Sequence, residues 1–345
     1  MERPGEKRKA ARAFVHTSSL RALLGPTRSG RAGLAVRPIS RMLSHGQAQG
    51  MNQAATDFSD LLTSAAEQAN RSLVHVSAPC RRGATGSIFT DDGVVLTTAR
   101  ALAGRDRLEI VQGEQSSEAQ VIGFDVATDI GVARLAAPLG QAPTWGNAPA
   151  RLGSLVLSAS RPGRGARVRL GVVSQVGGAW HSLRGGRIER YVETDVGPEP
   201  GFSGGLGFDT QGQAIGMSSA GLLRGVPLLV EKATLDRIVG ALLAQGRVRR
   251  GYLGVGTQAV RLPDAAAQST GQATGLLVSS VQPGSAAERA QLVLGDVLLA
   301  LGTAKLSDAG ALQAALEDAE GQTLGLSLLR AGQALLVDVT PGARQ

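Results

Sequence analysis

The chain has 345 residues, 43% of them hydrophobic and only 19% charged, which excludes disorder throughout and suggests two domains rather than one. Its 47 glycines, set between short runs of Val, Leu and Ile, favour strands joined by tight turns over a helical protein. The formal net charge of +8 sits wholly in the first 50 residues, where ten basic residues face only Glu2 and Glu6, so the neutral, aromatic-poor remainder lacks the basic face and stacking residues that nucleic-acid binding needs.

Residues 1–54 read as a basic, disordered tail. Its longest apolar run, residues 22–24, is bracketed by Arg21 and Gly25 and is too short for the core of a secretory signal. The tail is rich in Arg and Ser like an organelle-targeting peptide; a plain disordered arm, or a start upstream of a true beginning at Met51, is the simpler reading. The expected compartment is therefore the cytoplasm, with organelle targeting as the alternative. No membrane span is expected, since the most apolar stretch, residues 292–301, is short and broken by Asp296. Cys80 is the only cysteine, which excludes an internal disulfide and any multi-cysteine metal site.

Residues 57–70 predict a short helix with Asp57 as N-cap and Phe58, Leu61 and Leu62 on one face. Six short apolar runs follow, 72–77, 86–90, 93–98, 107–112, 119–125 and 130–135, a spacing that fits a small antiparallel barrel. A second set starts at Ser154 and continues through 171–176, 191–194, 204–208, 213–218 and 226–230, which makes a second barrel of similar size. A helix over 234–245 leads to the polar hinge 246–251. Beyond it, strands at 275–281, 297–302, 323–329 and 333–339 alternate with helices at 285–290 and 307–319, the latter capped by Ser307 and Asp308 and ended by Gly321. The expected units are residues 55–246, a double barrel, and 251–343, a compact strand-and-helix module.

The segment richest in chemical meaning is Thr194-Asp-Val-Gly-Pro-Glu-Pro-Gly-Phe-Ser-Gly-Gly205. Such a turn exposes the Ser203 hydroxyl and aims the N–H groups of Gly201 and Ser203 at one point, as an oxyanion hole requires, although a glycine-rich hairpin has the same composition. The segment resembles the nucleophile loop of the HtrA (Deg) family of trypsin-like serine proteases. Gly86-Ser-Ile-Phe-Thr-Asp-Asp-Gly-Val-Val-Leu-Thr-Thr98 resembles that family's first-barrel hairpin, Ala127-Thr-Asp-Ile-Gly-Val-Ala-Arg-Leu135 its aspartate strand, and Gly251-Tyr-Leu-Gly-Val255 its entry into a PDZ domain. The likeness spans roughly residues 70–343 and implies a mainly β fold, a trypsin-like pair of six-stranded barrels followed by an α+β PDZ domain.

Carried over by position, the resemblance makes Ser203 the nucleophile, Asp129 the orienting acid, and Gly201 with Ser203 the oxyanion donors. The base does not match. Where the family has histidine just after the Leu-Thr of the hairpin, this chain reads Leu96-Thr-Thr-Ala-Arg100, and no histidine lies between His75 and His181. Arginine cannot take the serine proton, because its guanidinium carries donors and no acceptor. Arg100 is expected to form a bidentate pair with Asp129 instead or to swing out to solvent. His75, on a strand, and His181, on a polar loop beside Trp180, read as structural or surface residues, and His16 and His45 belong to the tail.

Phe202 replaces a small polar residue of the family, Leu206 and Gly207 follow where the family has proline, and the stretch 218–226 that should wall the specificity pocket is short. In the PDZ resemblance, Tyr252, Leu253, Gly254 and Val255 form the loop that takes a peptide's terminal carboxylate. The resulting expectation is a proteolytically inactive HtrA-like protein that binds peptides or protein C-termini. Its alternative is an active, ATP-independent endopeptidase using Ser203 and Asp129 with an unforeseen base. No metal or organic cofactor is implied, and the family's habit of trimerising through the segment before the first barrel raises a homotrimer.

Overall fold

A computed structural model describes residues 45–77, 83–197 and 199–343, with side chains from Gly50 onward. Most of the basic tail, with His16, and Cys80 lie outside these residues. Residues 55–345 fold as one compact unit. The predicted opening helix is much longer than expected: α1 runs His45–Ser72, so Asp57 lies inside it and is not its cap, and residues 45–54 are helical. Ala65 and Ala69 on its last turns are buried against the barrels, while Phe58 and Leu61 stay exposed.

The six-run reading of the first half holds. Strands β1 (Leu73–Val76), β2 (Ala84–Thr90), β3 (Val94–Thr97), β4 (Arg107–Gln112), β5 (Gln115–Asp125) and β6 (Ile130–Leu135) close in the order β1-β2-β3-β6-β5-β4. Their inward residues, among them Val74, Ile88, Val95, Ile110 and Ala133, fill the interior, as alternation along a strand demands. A single helical turn, α2 (Ala99–Leu102), follows β3. It packs closely on β6, where a methyl on Gly131 would come within 2.8 Å of the Leu102 side chain. Sequence reading missed α2, because one turn has no measurable period.

The second barrel closes as β11-β14-β13-β12-β7-β8 from β7 (Leu155–Ser160), β8 (Arg167–Gly177), β11 (Tyr191–Thr194), β12 (Leu206–Phe208), β13 (Ala214–Ser219) and β14 (Leu228–Glu231). Between β8 and β11, β9 (Trp180–His181) and β10 (Arg187–Ile188) pair as a small ribbon. Helix α3 (Lys232–Gln245) turns Leu235, Ile238, Val239 and Leu242 inward and ends at left-handed Gly246. Leu96, Ile130 and Val132 of the first barrel share one buried cluster with Leu206, Phe208 and Met217 of the second.

In the C-terminal module β15 (Gly251–Tyr252) pairs with β22 (Gly342–Ala343), and β16 (Val255–Arg261), β17 (Thr274–Val281), β18 (Val297–Leu301), β20 (Leu324–Arg330) and β21 (Gln333–Val339) form the main sheet, with β19 (Ala304–Lys305) beside β18. Strand β16 was not foreseen. Among the described residues it pairs only with β17, which leaves its other edge without a strand partner. Helices α4 (Asp264–Thr270), α5 (Ala286–Arg289) and α6 (Ala309–Leu316) complete the module. Asp308 caps α6 by accepting from Ala311 N at 2.9 Å, as its sequence position suggested, but α6 ends at Leu316, before Gly321.

The buried carboxylate of Asp296, 0% exposed, accepts from Arg330 Nε at 2.8 Å, Arg330 Nη2 at 2.7 Å and Val293 N at 2.9 Å. Burial pushes its pKa up, but the Arg330 and Val293 bonds and the Arg330 charge outweigh this and hold it below the ordinary value. A depressed folded pKa adds stability that is present above the unfolded value and lost as pH falls through the folded one. Asp296→Asn is therefore expected to lower Tm at pH 7, with the gap to wild type closing below about pH 4; a gap independent of pH in thermal melts refutes this.

Candidate active site

Ser203 stands at a sharp turn that only glycines permit. Gly201 and Gly204 have φ of 93° and 88°, the left-handed region that L side chains avoid. A methyl on Gly204 would also lie 2.2 Å from the Thr85 carbonyl oxygen, so the nucleophile loop sits directly on the first barrel. Thr85 Oγ1 donates to Gly201 O at 2.6 Å and accepts from Arg161 N at 2.9 Å. The backbone of the loop is pinned by Phe202 N to Glu199 O, 3.2 Å, and Gly204 N to Ser218 O, 2.9 Å. Among the described residues, the N–H groups of Gly201 and Ser203 have no acceptor.

Asp129 is set by the turn before β6. The Asp125 carboxylate accepts from Thr128 N at 3.1 Å and Thr128 Oγ1 at 2.5 Å, and from Arg250 Nη1 and Nη2 at 2.6 and 3.0 Å. The turn delivers Asp129 with φ 55°, which aspartate tolerates better than most residues. Asp129 Oδ2 accepts from Ser219 Oγ at 2.7 Å, and the next N–H, that of Ala220, donates to Ser203 Oγ at 3.1 Å. The dipeptide Ser219-Ala220, at and just past the end of β13, thus touches both the acid and the nucleophile. Sequence reading missed Ser219, one of many serines, because only the closure of the second barrel carries it to Asp129.

Arg100 lies on α2 with its side chain exposed. The pair expected with Asp129 does not form: among the described residues no acceptor lies within ion-pair distance of its guanidinium, and Asp129 bonds Ser219 instead. A carboxylate already bound to a hydroxyl in a buried pocket offers little to an arginine that keeps full hydration at the surface. Arg100 still acts on Asp129 through space. Burial raises the Asp129 pKa, opposed by the Ser219 hydrogen bond and the Arg100 charge.

Neither described histidine side chain reaches Ser203. The His75 ring lies against Gly83, whose added methyl would fall on it, and its Nδ1 has no partner among the described residues. His181 Nε2 is 3.7 Å from the Glu317 carboxylate. The recess beside Ser203 has a volume of about 20 Å³, room for about one water. Phe202, 5% exposed, lines it with Leu228 and Leu229.

A second, larger cleft of about 700 Å³ opens between β16, α6 and the barrel turn that carries Arg184 and Gly185. Tyr252, Leu253, Gly254 and Val255 all line it. Gly254 has φ 81°, and the N–H groups of Leu253 and Gly254 have no acceptor among the described residues. Ion pairs tie this module to the barrels: Arg250 to Asp125, Arg247 to Glu320 at 2.7 Å, and Arg187, Arg237 and His181 around Glu317 at 3.7–3.8 Å.

Residues 84–217 match the model of a trypsin-like peptidase domain and residues 251–340 that of a PDZ domain. A probable periplasmic serine endoprotease, DegP-like, of Chlamydia muridarum is 30% identical over 266 residues, covering 74% of this chain and 53% of that protein; its Brucella suis counterpart is 27% identical over 287 residues, 80% and 55%. Among solved structures, an HtrA-type protease AlgW with a tripeptide superposes with a TM-score of 0.65 at 26% identity, over 81% of this chain and 96% of that one. The chain belongs to the HtrA family.

This HtrA-family chain spans about half the length of the curated relatives it matches first. Those relatives are named periplasmic proteases, which points outside the cytoplasm and corrects the cytoplasmic expectation. That expectation rested on the apolar runs of the first fifty residues, and neither those nor the neutral charge of a folded body selects a compartment. No helix among the described residues is long and apolar enough to cross a membrane.

The Asp129 pKa is raised, so the fold gains stability that is fully present below the unfolded value, about 3.9, and lost as pH rises through the folded one. Asp129→Asn keeps an acceptor for Ser219 and removes the titration. Its Tm relative to wild type is expected to rise from pH 4 to pH 7; parallel pH profiles in differential scanning calorimetry contradict this.

Proposed function

We propose that this HtrA-family chain is proteolytically silent and works as a peptide-binding protein, a scaffold, chaperone-like factor or partner of an active relative. The observation that carries the reading is Arg100 on α2 with no imidazole bonded to Ser203 Oγ, whose one contact among the described residues is a donor, Ala220 N. Serine attack needs a group that accepts its proton and returns it to the leaving amine. A triad without its base loses on the order of 10⁶ in turnover, although the oxyanion hole alone retains about 10³ over water.

Peptide capture is supported by the open edge of β16 beside α6 and by the unengaged N–H groups of Leu253 and Gly254. An extended C-terminus adds there as a further strand with its carboxylate on the loop 252–255. The relatives' names favour a periplasmic or secreted setting, and the exposed Phe58 and Leu61 of α1 favour assembly of three copies through that helix.

Purified chain is expected to leave casein intact and Ser203 unlabelled by a fluorophosphonate; cleavage together with labelling establishes the active-endopeptidase alternative instead. Arg100→His places an imidazole on α2, whose Ala99 N donates to Asp129 O at 3.4 Å, and is expected to raise casein turnover above the wild-type background. Peptides with a free C-terminal carboxylate should bind in fluorescence polarisation, and their C-terminal amides should not. Equal binding of the two removes the carboxylate loop from the reading, and a monomer mass in light scattering removes the trimer.

A further inference from the structure

We infer that β21, the outer strand of the C-terminal sheet, is a docking edge for a second copy of this chain, paired antiparallel about a two-fold axis at Leu336. Strand β21 ends the order β16-β17-β18-β20-β21 and, among the described residues, pairs only with β20. The hairpin between them turns at Ala331 and Gly332, with φ of 49° and 83°, a two-residue loop whose closing pair, Arg330 and Gln333, exchanges hydrogen bonds. Bonding then alternates, so the backbone of Leu335 and Val337 faces β20, while the N–H and C=O groups of Ala334, Leu336 and Asp338 face the open side. Gly325, opposite Asp338, fixes the phase: its carbonyl oxygen points away from β21 and accepts from Gly302 N at 2.8 Å.

This edge carries none of the usual protection. From Gln333 to Val339 there is no proline, lysine or arginine, the pairing with β20 has no bulge, and Leu336 is 70% exposed and Leu335 39%. No residue of β21 lines the clefts at β16 or Ser203, so an extended peptide laid on it gains main-chain bonds without the side-chain pockets that make such binding specific. A second copy brings a strand already ordered by its own hairpin, and loses less entropy on pairing.

The side chains suit self-pairing. With the axis at Leu336, that residue meets its own copy, Ala334 meets Asp338 of the second copy, and Leu335 lies opposite Val337, so each outward backbone group has a partner and apolar side chains face apolar ones. The one charge of the strand, Asp338, is set opposite alanine and lies roughly 14 Å along the strand from its copy, beyond the screening length of about 8 Å. Moving the axis one residue toward Asp338 halves that separation and leaves Ala334 past the end of the second strand. Strand β21 has only 7 residues, and such a contact falls below the area of about 1,200 Å² that a permanent interface needs, so the pairing is reversible and follows concentration.

The test is sedimentation equilibrium of the full chain, with cysteine cross-linking in a Cys80→Ser background. Whatever the basal unit, the wild-type mass is expected to rise with concentration to twice that of Leu336→Lys, which sets like charges opposite each other on the axis and weakens association about tenfold or more. Leu336→Cys is expected to give a disulfide-linked dimer on mild oxidation, because facing residues of a hydrogen-bonded pair have Cα atoms about 5.5 Å apart. Ala334→Cys alone should not, yet should cross-link to Asp338→Cys when the two are mixed. Equal masses of wild type and a folded Leu336→Lys at every concentration, absence of the Leu336→Cys dimer, or cross-linking of Ala334→Cys to itself as readily as Leu336→Cys each overturn the assignment. Should Leu336→Lys fail to fold in circular dichroism, the cysteine variants decide. Casein cleavage bears on the silent reading alone, and this inference stands or falls without it.

Discussion

Two closed barrels bury one shared apolar cluster, in which Leu96, Ile130 and Val132 meet Leu206, Phe208 and Met217, and the chemistry of this chain depends on that seam. A closed barrel has no free edge to pair with, so the barrels join through side chains and a few polar contacts between loops. Thr85 makes two of these contacts: its hydroxyl donates to Gly201 O at 2.6 Å and accepts from Arg161 N at 2.9 Å. The same seam brings β13 to the turn before β6, so that Ser219 bonds Asp129. Nucleophile and acid come from different barrels, and their relation holds only while the cluster is packed.

Attachment of the PDZ domain is electrostatic where the barrel seam is apolar. Arg250 closes a bidentate pair on Asp125, which is buried and also holds Thr128. A buried pair of this kind gains little over a neutral one, but removing one partner costs several kcal/mol because the other is left without compensation. Asp125 therefore links the interdomain segment to the backbone turn that orients Asp129. The ring of Arg187, Arg237 and His181 around Glu317 adds a second, looser clasp.

Arg100, at the position where the resemblance places a base, lies on α2. It forms no salt bridge with Asp129; it stays at the surface and acts on Asp129 through its field. Helix α2 carries no acceptor of intermediate basicity, and the recess beside Ser203 has a volume of about 20 Å³.

Both barrels were legible in the sequence because short strands leave a local signal, either alternation of buried and exposed residues, as at the start of β4, or a continuous apolar run, as in the almost wholly buried β6. Ser203, Asp129 and the displaced Arg100 were legible because glycine spacing and a missing histidine are local facts of the chain. Helix α2 and strand β16 were not, the first too short to show a period and the second too exposed and polar to stand out. The length of α1 escaped because residues 50–61 are all exposed, so no apolar stripe marks them. By itself the sequence determined that Arg100 cannot serve as a base, since no arrangement of the fold turns a guanidinium into a proton acceptor. Only the tertiary structure decided that Asp129 turns to Ser219 rather than to Arg100, and that Phe202 helps wall a recess of about 20 Å³. Those outcomes depend on which strands the barrels bring together across ninety residues of chain, a distance over which local propensity carries no information.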